Sequence, residues 1–336
     1  MKIAIVGATG AVGREMIKDL EASRLRDIDV RLCASPRSAG TLLSFRNRNV
    51  EVEAFDAAAL KGVDYVLMSA GGGFSRDHSP LLVKQGATVI DNSSAFRMVD
   101  DVALVVPEVN AAELKKKKGP QIIANPNCST IQLVVALKPL ADKFGLEMVS
   151  ASTYQSVSGT GQQGIAELGQ QVEAQFRFQD PVVKVYAQPI AFNLLPSNGN
   201  FDAGGHTEEE TKMVRETRKI MNLPDLFVTA TSVRVPTFNC HGETVMVRLK
   251  RPVTRAEALE AFKGAAGLVL NDKDTHESQP TPKAAAGDGR VYVSRVRLPY
   301  GEAKSPWLQF WNVADNLKKG AATNAVQILE ALAATH

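Results

Sequence analysis

A short apolar run, Lys2-Ile3-Ala4-Ile5-Val6, meets the turn Gly7-Ala8-Thr9-Gly10-Ala11-Val12-Gly13 and passes directly into residues 14–20, where Met16, Ile17 and Leu20 fall on one helical face. Strand, glycine turn and helix, in that order, form the context of a dinucleotide-binding fingerprint. The spacing is G-x-x-G-x-x-G rather than G-x-G-x-x-G. Glycines let the backbone approach a pyrophosphate, and the helix start offers N–H donors and the positive end of a dipole. Gly7, Thr9, Gly10, Ala11, Val12 and Gly13 are therefore candidate cofactor contacts. The first half is expected to be a Rossmann-like, doubly wound parallel sheet.

The second strand reads Asp29-Val30-Arg31-Leu32-Cys33-Ala34-Ser35. An NAD enzyme commonly places a carboxylate at this strand's end for the ribose 2′-hydroxyl. Here Ala34, Ser35, Pro36, Arg37 and Ser38 follow instead. Serine and arginine can bind a 2′-phosphate that a carboxylate would repel. Ser35, Arg37 and Ser38 thus point to NADP(H), with an ordinary polar surface loop as the alternative. Alternation continues with a strand at 63–68 running into Gly71, Gly72 and Gly73, a helix at 79–85, and strands at 88–91 and 122–124.

Past residue 150 the strands look longer and alternating, at 227–235 and 243–249, as in an antiparallel or mixed sheet covered by helices. The tail, 321–332, reads as an amphipathic helix that returns to the first domain. The expected division is a nucleotide domain of 1–127 plus 310–336, and a second α+β domain of 128–309. A length of 336 residues fits two domains at about 150 residues each. Hydrophobic content of 44% and charged content of 22% allow an ordinary core. Lys plus Arg minus Asp plus Glu is 39 − 36 = +3, too balanced for nucleic acid or a membrane surface as the main partner. The lysines at 115–118 read as a solvated helix end or loop. No run approaches the roughly 20 apolar residues of a membrane span. The N-terminal apolar run is too short for a signal peptide. Cys33, Cys128 and Cys240 make neither a metal spacing nor an even disulfide set and suit a reducing cytoplasm; no metal is expected.

Cys128 lies in Asn125-Pro126-Asn127-Cys128-Ser129-Thr130, between an apolar strand and the buried helix pattern of 131–137. A helix N-terminus favours thiolate and can hold an anion or oxyanion beside it. Position alone leaves a buried structural cysteine equally open. Asn125 and Asn127 tilt the choice toward a nucleophile, since a core has no need of two asparagines around a proline turn.

Several blocks together resemble the aspartate-β-semialdehyde dehydrogenases: "GATGAVG", "DNSSAFRM" at 91–98, "NPNCST" at 125–130, "TYQSVSGTG" at 153–161, "EEETKM" at 208–213, "RVPTFNCHGE" at 234–243 and "KKGAATNAVQI" at 318–328. They occur in order and span nearly the whole chain. The resemblance implies that Cys128 is the nucleophile, Gln155 orients the substrate and thioester, and His241, seven residues after Arg234, is the acid/base. It implies that Arg97 and Lys212 bind phosphate with help from Asn127, that Arg234 clamps the α-carboxylate, and that Glu209, three residues before Lys212, holds the ammonium. Glu208 and Glu210 leave that register open by one residue. Ser158, Gly159 and Asn316 are implied as further cofactor contacts. A homodimer is implied, with catalysis, substrate binding and dimerisation carried by the second domain of 128–309, and NADPH-dependent reductive dephosphorylation of L-aspartyl-4-phosphate through a Cys128 thioester. Arg97, Arg234, Lys212 and Glu209 supply the charges that such a substrate needs, although Glu209 and Lys212 could equally pair on a helix surface. An N-acetyl-glutamyl-phosphate reductase would have no cation for Glu209, and a binding protein without chemistry would not need Cys128, Gln155 and His241. Cys240, beside His241, is expected on the opposite strand face, in the core.

Overall fold

The computed structural model describes residues 1–334, so the expected segment 310–336 includes Thr335 and His336, which lie outside the described residues. The chain divides into two units, residues 1–127 with 321 onward, and residues 128–320.

The first unit holds β1 (Lys2–Val6), β2 (Asp29–Ala34), β3 (Leu42–Phe45), β4 (Arg48–Ala54), β5 (Tyr65–Met68), β6 (Thr88–Asp91), β7 (Ala103–Leu104) and β8 (Ile122–Ala124), in the order β3-β4-β2-β1-β5-β6-β8-β7. All neighbours run parallel except the β3–β4 pair. Its helices are α1 (Ala11–Ala22), α2 (Gly72–Lys84), α3 (Pro107–Asn110) and, at the end of the chain, α9 (Thr323–Ala333). Alternate residues of β1 enter different cores. Ile3 and Ile5 pack with Met16, Ile17 and Leu20 of α1 and Val326 and Leu329 of α9, whereas Ala4 and Val6 pack with Val66, Met68 and Leu82. A strand buried on both faces has no polar positions, which is why β1 reads as an unbroken apolar run.

Two expectations change here. The helix at 79–85 is the second half of α2, which starts at Gly72 and carries Pro80 inside it. The glycine cluster and the proline conceal its first turns from a propensity reading. Residues 310–320 belong to the second unit rather than the first, because β14 (Ser305–Ala314) lies inside the second sheet, between β11 (His241–Val253) and β13 (Val291–Arg297), and the return begins at Ala321.

The second unit holds β9 (Leu146–Gln155), β10 (Phe227–Arg234), β11 (His241–Val253), β12 (Leu268–Leu270), β13 (Val291–Arg297) and β14 (Ser305–Ala314), ordered β10-β9-β11-β14-β13-β12. The sheet is mixed: β10–β9 and β12–β13 are parallel, the rest antiparallel. Its helices are α4 (Cys128–Phe144), α5 (Gln162–Phe176), α6 (Glu208–Met221), α7 (Arg255–Phe262) and α8 (Pro282–Ala285). Leu133, Leu137 and Leu140 of α4, Met213 of α6 and Phe262 of α7 close over Val149, Val245, Val247 and Phe310 of the sheet. Truncating any of these leucines to alanine carries the usual cost of about 2–5 kcal/mol for a core cavity. α6 starts with a Thr207/Glu210 capping box and stops at Asn222 in the left-handed region.

Candidate active site

In the first unit the glycine turn is a tight piece of backbone. Gly7 has φ +88, and a β-carbon there would overlap the Ser69 carbonyl; one on Gly13 would overlap the Gly7 carbonyl. Gly10 precedes α1, so Ala11, Val12 and Gly13 form its first turn, whose N–H groups have no partner within the helix. Thr9 Oγ1 lies 3.3 Å from Ser38 Oγ, which joins the turn to the segment after β2. Ser35 and Arg37 there are exposed and Ser38 is half-buried. The donors are those an anionic dinucleotide needs, with a cation and hydroxyls where a carboxylate would select NAD.

Arg97 is buried in the same unit, its Nε donating to the Asn125 carbonyl (3.0 Å) and an Nη to that of Asn92 (2.9 Å). This fixes it to the segment that leads into Asn127, itself buried. Asn125 corrects an expectation: the core does need it. It is fully buried, its Nδ2 donates to Asn92 Oδ1 and the Ala321 carbonyl, and its Oδ1 accepts from Asn324.

In the second unit, Arg234, Gln155 and His241 stand side by side across three adjacent strands: Arg234 of β10 is in register with Gln155 of β9, and Gln155 with His241 of β11. In-register partners point to the same face, so residues separated by 86 positions in sequence form one row. Gln155 Nε2 donates to Ser129 Oγ (2.9 Å), the residue after Cys128, and to Glu209 Oε1 (3.2 Å). Glu209 in turn meets Lys212 Nζ at 3.7 Å. Glu208 instead bonds Asn200, and Glu210 serves the capping box and Ser232 N. Of the three glutamates, Glu209 is the one lining a cleft of about 590 Å³ whose walls include Gly159, Tyr186, Asn198, Lys212 and Arg234.

His241 is fully buried. The Ser156 N–H donates to its Nδ1 at 3.0 Å, so Nδ1 is the acceptor and the ring proton sits on Nε2, a buried atom with no protein partner. Burial, and then the Arg234 guanidinium nearby, push its pKa down to about 3, so the ring is neutral. A β-carbon on Gly159 would lie 2.8 Å from an Arg234 Nη and 3.4 Å from His241 Nε2, so only glycine leaves this space open. Arg234 donates to the Ser156 carbonyl at 2.8 Å, while its Nε is buried without a partner.

Cys128 is the first residue of α4 and is half-buried. A β-carbon on Gly320 would come within 2.8 Å of its Cβ, so the chain passes close over it. Cys33 and Cys240 are buried; desolvation raises the Cys33 thiol to about 11 and pushes Cys240 higher still. The core position expected for Cys240 holds, beside Ala285 and Val313. The reason differs, since Cys240 precedes β11 with φ +67 rather than alternating along it. Asn316 Oδ1 accepts from Ser156 Oγ, Ser158 Oγ and the Cys240 N–H, fastening the 156–159 turn.

Sequence reasoning missed Ser129, Ser156, Tyr186 and Asn198. Asn198 lines the cleft with a buried Nδ2 that has no partner. None of these carries a local signal, since their significance comes from strand register and loop packing. Among the described residues no cluster of His, Cys, Asp or Glu could hold a metal, and no helix is long and apolar enough to cross a membrane.

Two family models match, "Semialdehyde dehydrogenase, NAD binding domain" over residues 2–117 and "Semialdehyde dehydrogenase, dimerisation domain" over 137–319. The chain is 46% identical to an aspartate-semialdehyde dehydrogenase of Aquifex aeolicus, covering 98% of this chain and 97% of that protein. It is 43% identical to that of Bacillus subtilis over 99% and 97%. Among solved structures, aspartate semialdehyde dehydrogenase II of Vibrio cholerae, complexed with ASA, superposes with a TM-score of 0.93 at 41% identity, covering 99% of this chain and 98% of that one.

Proposed function

The chain belongs to the aspartate-semialdehyde dehydrogenase family, and from that premise we propose that it converts L-aspartyl-4-phosphate to L-aspartate 4-semialdehyde, reversibly, with Cys128 as nucleophile. The carrying observation is the row Arg234–Gln155–His241 set beside Ser129 and the start of α4, with Glu209 and Lys212 bordering the same cleft. Arg234 takes the α-carboxylate and Glu209 the ammonium. Arg97 with Asn127, and Lys212, take the phosphate.

The helix start favours the Cys128 thiolate. Its sulfur attacks the acyl carbon, the C–O bond to phosphate breaks, and a thioester remains. NADPH supplies the hydride that reduces this thioester. First-turn N–H groups of α4 and His241 Nε2–H stabilise the oxyanion, whose collapse releases the aldehyde and restores the thiolate. Burial, and then Arg234, hold His241 neutral with its proton on Nε2, so the ring serves the reaction as a donor at that atom.

NADPH is favoured over NADH by the exposed Arg37 and the absence of a carboxylate directly after β2. Arg37→Glu should raise the KM for NADPH roughly 10- to 150-fold, the worth of a charge-assisted hydrogen bond of about 1.5–3 kcal/mol, with kcat changed less than about threefold. A wild type that prefers NADH, or unchanged NADPH kinetics in the variant, would sink the assignment. The dimerisation-domain match supports a homodimer, and three cysteines without a disulfide suit the cytoplasm. In the function assay, aspartate semialdehyde should sustain turnover of NADP+ only when phosphate is present. Turnover with N-acetyl-glutamate semialdehyde instead, or none with either aldehyde, would overturn the proposal.

A further inference from the structure

Glu243 lies one step beyond His241 on the same face of β11, fully buried between α4 and the sheet. Its Oε2 accepts from Asn312 Nδ2 at 2.9 Å, and Asn312 Oδ1 accepts from Gln132 Nε2 at 2.8 Å. Gln132 Nε2 also donates to the His241 carbonyl at 3.2 Å, and its side chain lies against the Glu243 carboxyl. Two acceptors, Gln132 Oε1 and Glu243 Oε1, are then buried with no donor. Turning the Gln132 amide round would set its oxygen against two other oxygens. One proton on the carboxyl supplies the missing donor, because Glu243 Oε1–H can give to Gln132 Oε1.

We propose that Glu243 is held as a neutral carboxylic acid and acts as a positioning residue, closing a hydrogen-bonded ring with Gln132 and Asn312 that fixes the strand of His241 against the helix of Cys128. Gln132 sits one turn after Cys128 on α4, so the ring links the two groups through the His241 carbonyl. The link to catalysis rests on the proposed function; the protonation does not. Burial pushes the carboxyl up to about 8, against the lowering effect of the neighbouring Asn312 and Gln132 side chains. The described groups facing it are Gln132 on α4, its register partners Thr153 on β9 and Asn312 on β14, and His241 on its own strand. His241 is the one titratable group among these, and it is neutral. A half-satisfied buried network is costly, so ionising Glu243 should loosen the ring.

The sign follows from the raised pKa. The folded state holds the proton that the unfolded chain releases near 4.5, so this contribution to stability is complete below 4.5, declines as pH rises to about 8 and is lost above it. Glu243→Gln keeps the shape and carries a permanent N–H donor; Glu243→Ala removes the ring member. Thermal unfolding of wild type and E243Q from pH 5 to 9 should show a difference that shrinks, or shifts toward E243Q, as pH rises to about 8 and then levels. At pH 7, E243Q should keep kcat within about threefold, while E243A loses at least tenfold in kcat with KM little changed. Wild-type kcat should fall severalfold above pH 8, a limb absent from E243Q. A stability difference flat across pH 5–8, an E243Q protein that does not fold, or an unchanged alkaline limb in E243Q would each overturn the proposal. Wild type without turnover would sink the functional reading and leave the unfolding arm to decide this one.

Discussion

Cys128→Ala should abolish turnover, with kcat/KM down by at least about 10⁴-fold, the scale on which loss of a covalent nucleophile registers. Neither of the other two cysteines substitutes for it: Cys33, in the first unit, and Cys240, in the second, are both buried, with thiols raised by desolvation. The side chain is half-buried at a helix start, so the variant should fold, unfold within a few degrees of wild type and bind NADP(H) unchanged. Steady-state kinetics beside a thermal melt check this. Cys33→Ala and Cys240→Ala serve as controls; turnover should survive where the fold does. A folded and active C128A protein would remove Cys128 from the mechanism.

Arg234→Leu should lower kcat/KM for aspartate semialdehyde by roughly 30- to several thousand-fold, since losing one member of a buried charge pair costs about 2–5 kcal/mol. Arg234→Lys should recover only part, because an ammonium lacks the planar fork. NADP(H) affinity should hold. The loss includes the hydrogen bond from Arg234 to the Ser156 carbonyl, so activity alone is an incomplete readout. The acid limb of the pH profile supplies a second signature. Arg234 is one of the two causes that hold His241 near 3; without it the imidazole pKa rises, and any limb that reports His241 in the free enzyme should move to higher pH. Arg97→Leu should instead raise the KM for phosphate. If Arg234→Leu weakens phosphate and Arg97→Leu weakens only the amino-acid end, the two assignments are inverted.

Much of the site could be read from the sequence because its chemistry sits at element boundaries with local signatures. The glycine turn at Gly7, Gly10 and Gly13 announces itself through steric need, and Cys128 through its place between a strand and a helix. Features set by tertiary pairing were hidden. Asn125 looked functional because its partners, Asn92, Ala321 and Asn324, are up to 199 positions away. Gln132 and Glu243 look like surface residues in a string of letters, and only the packing of α4 on β11 buries them. The break between units was misplaced at 310 because β14 and the returning chain are contiguous, and apolar runs do not declare which sheet they join. The first turns of α2 were lost to Gly72, Gly73 and Pro80.

The thioester is the step on which everything else depends, and it can be trapped. Without phosphate, aspartate semialdehyde and NADP+ should carry Cys128 to the acyl-enzyme, where the reaction stops for want of the acceptor. Acid quenching, digestion and mass spectrometry should find an aspartyl adduct on the peptide containing Cys128, formed with about one equivalent of NADPH and discharged when phosphate is added before the quench. An adduct on Cys33 or Cys240, or one equivalent of NADPH with no adduct at all, would contradict a Cys128 thioester.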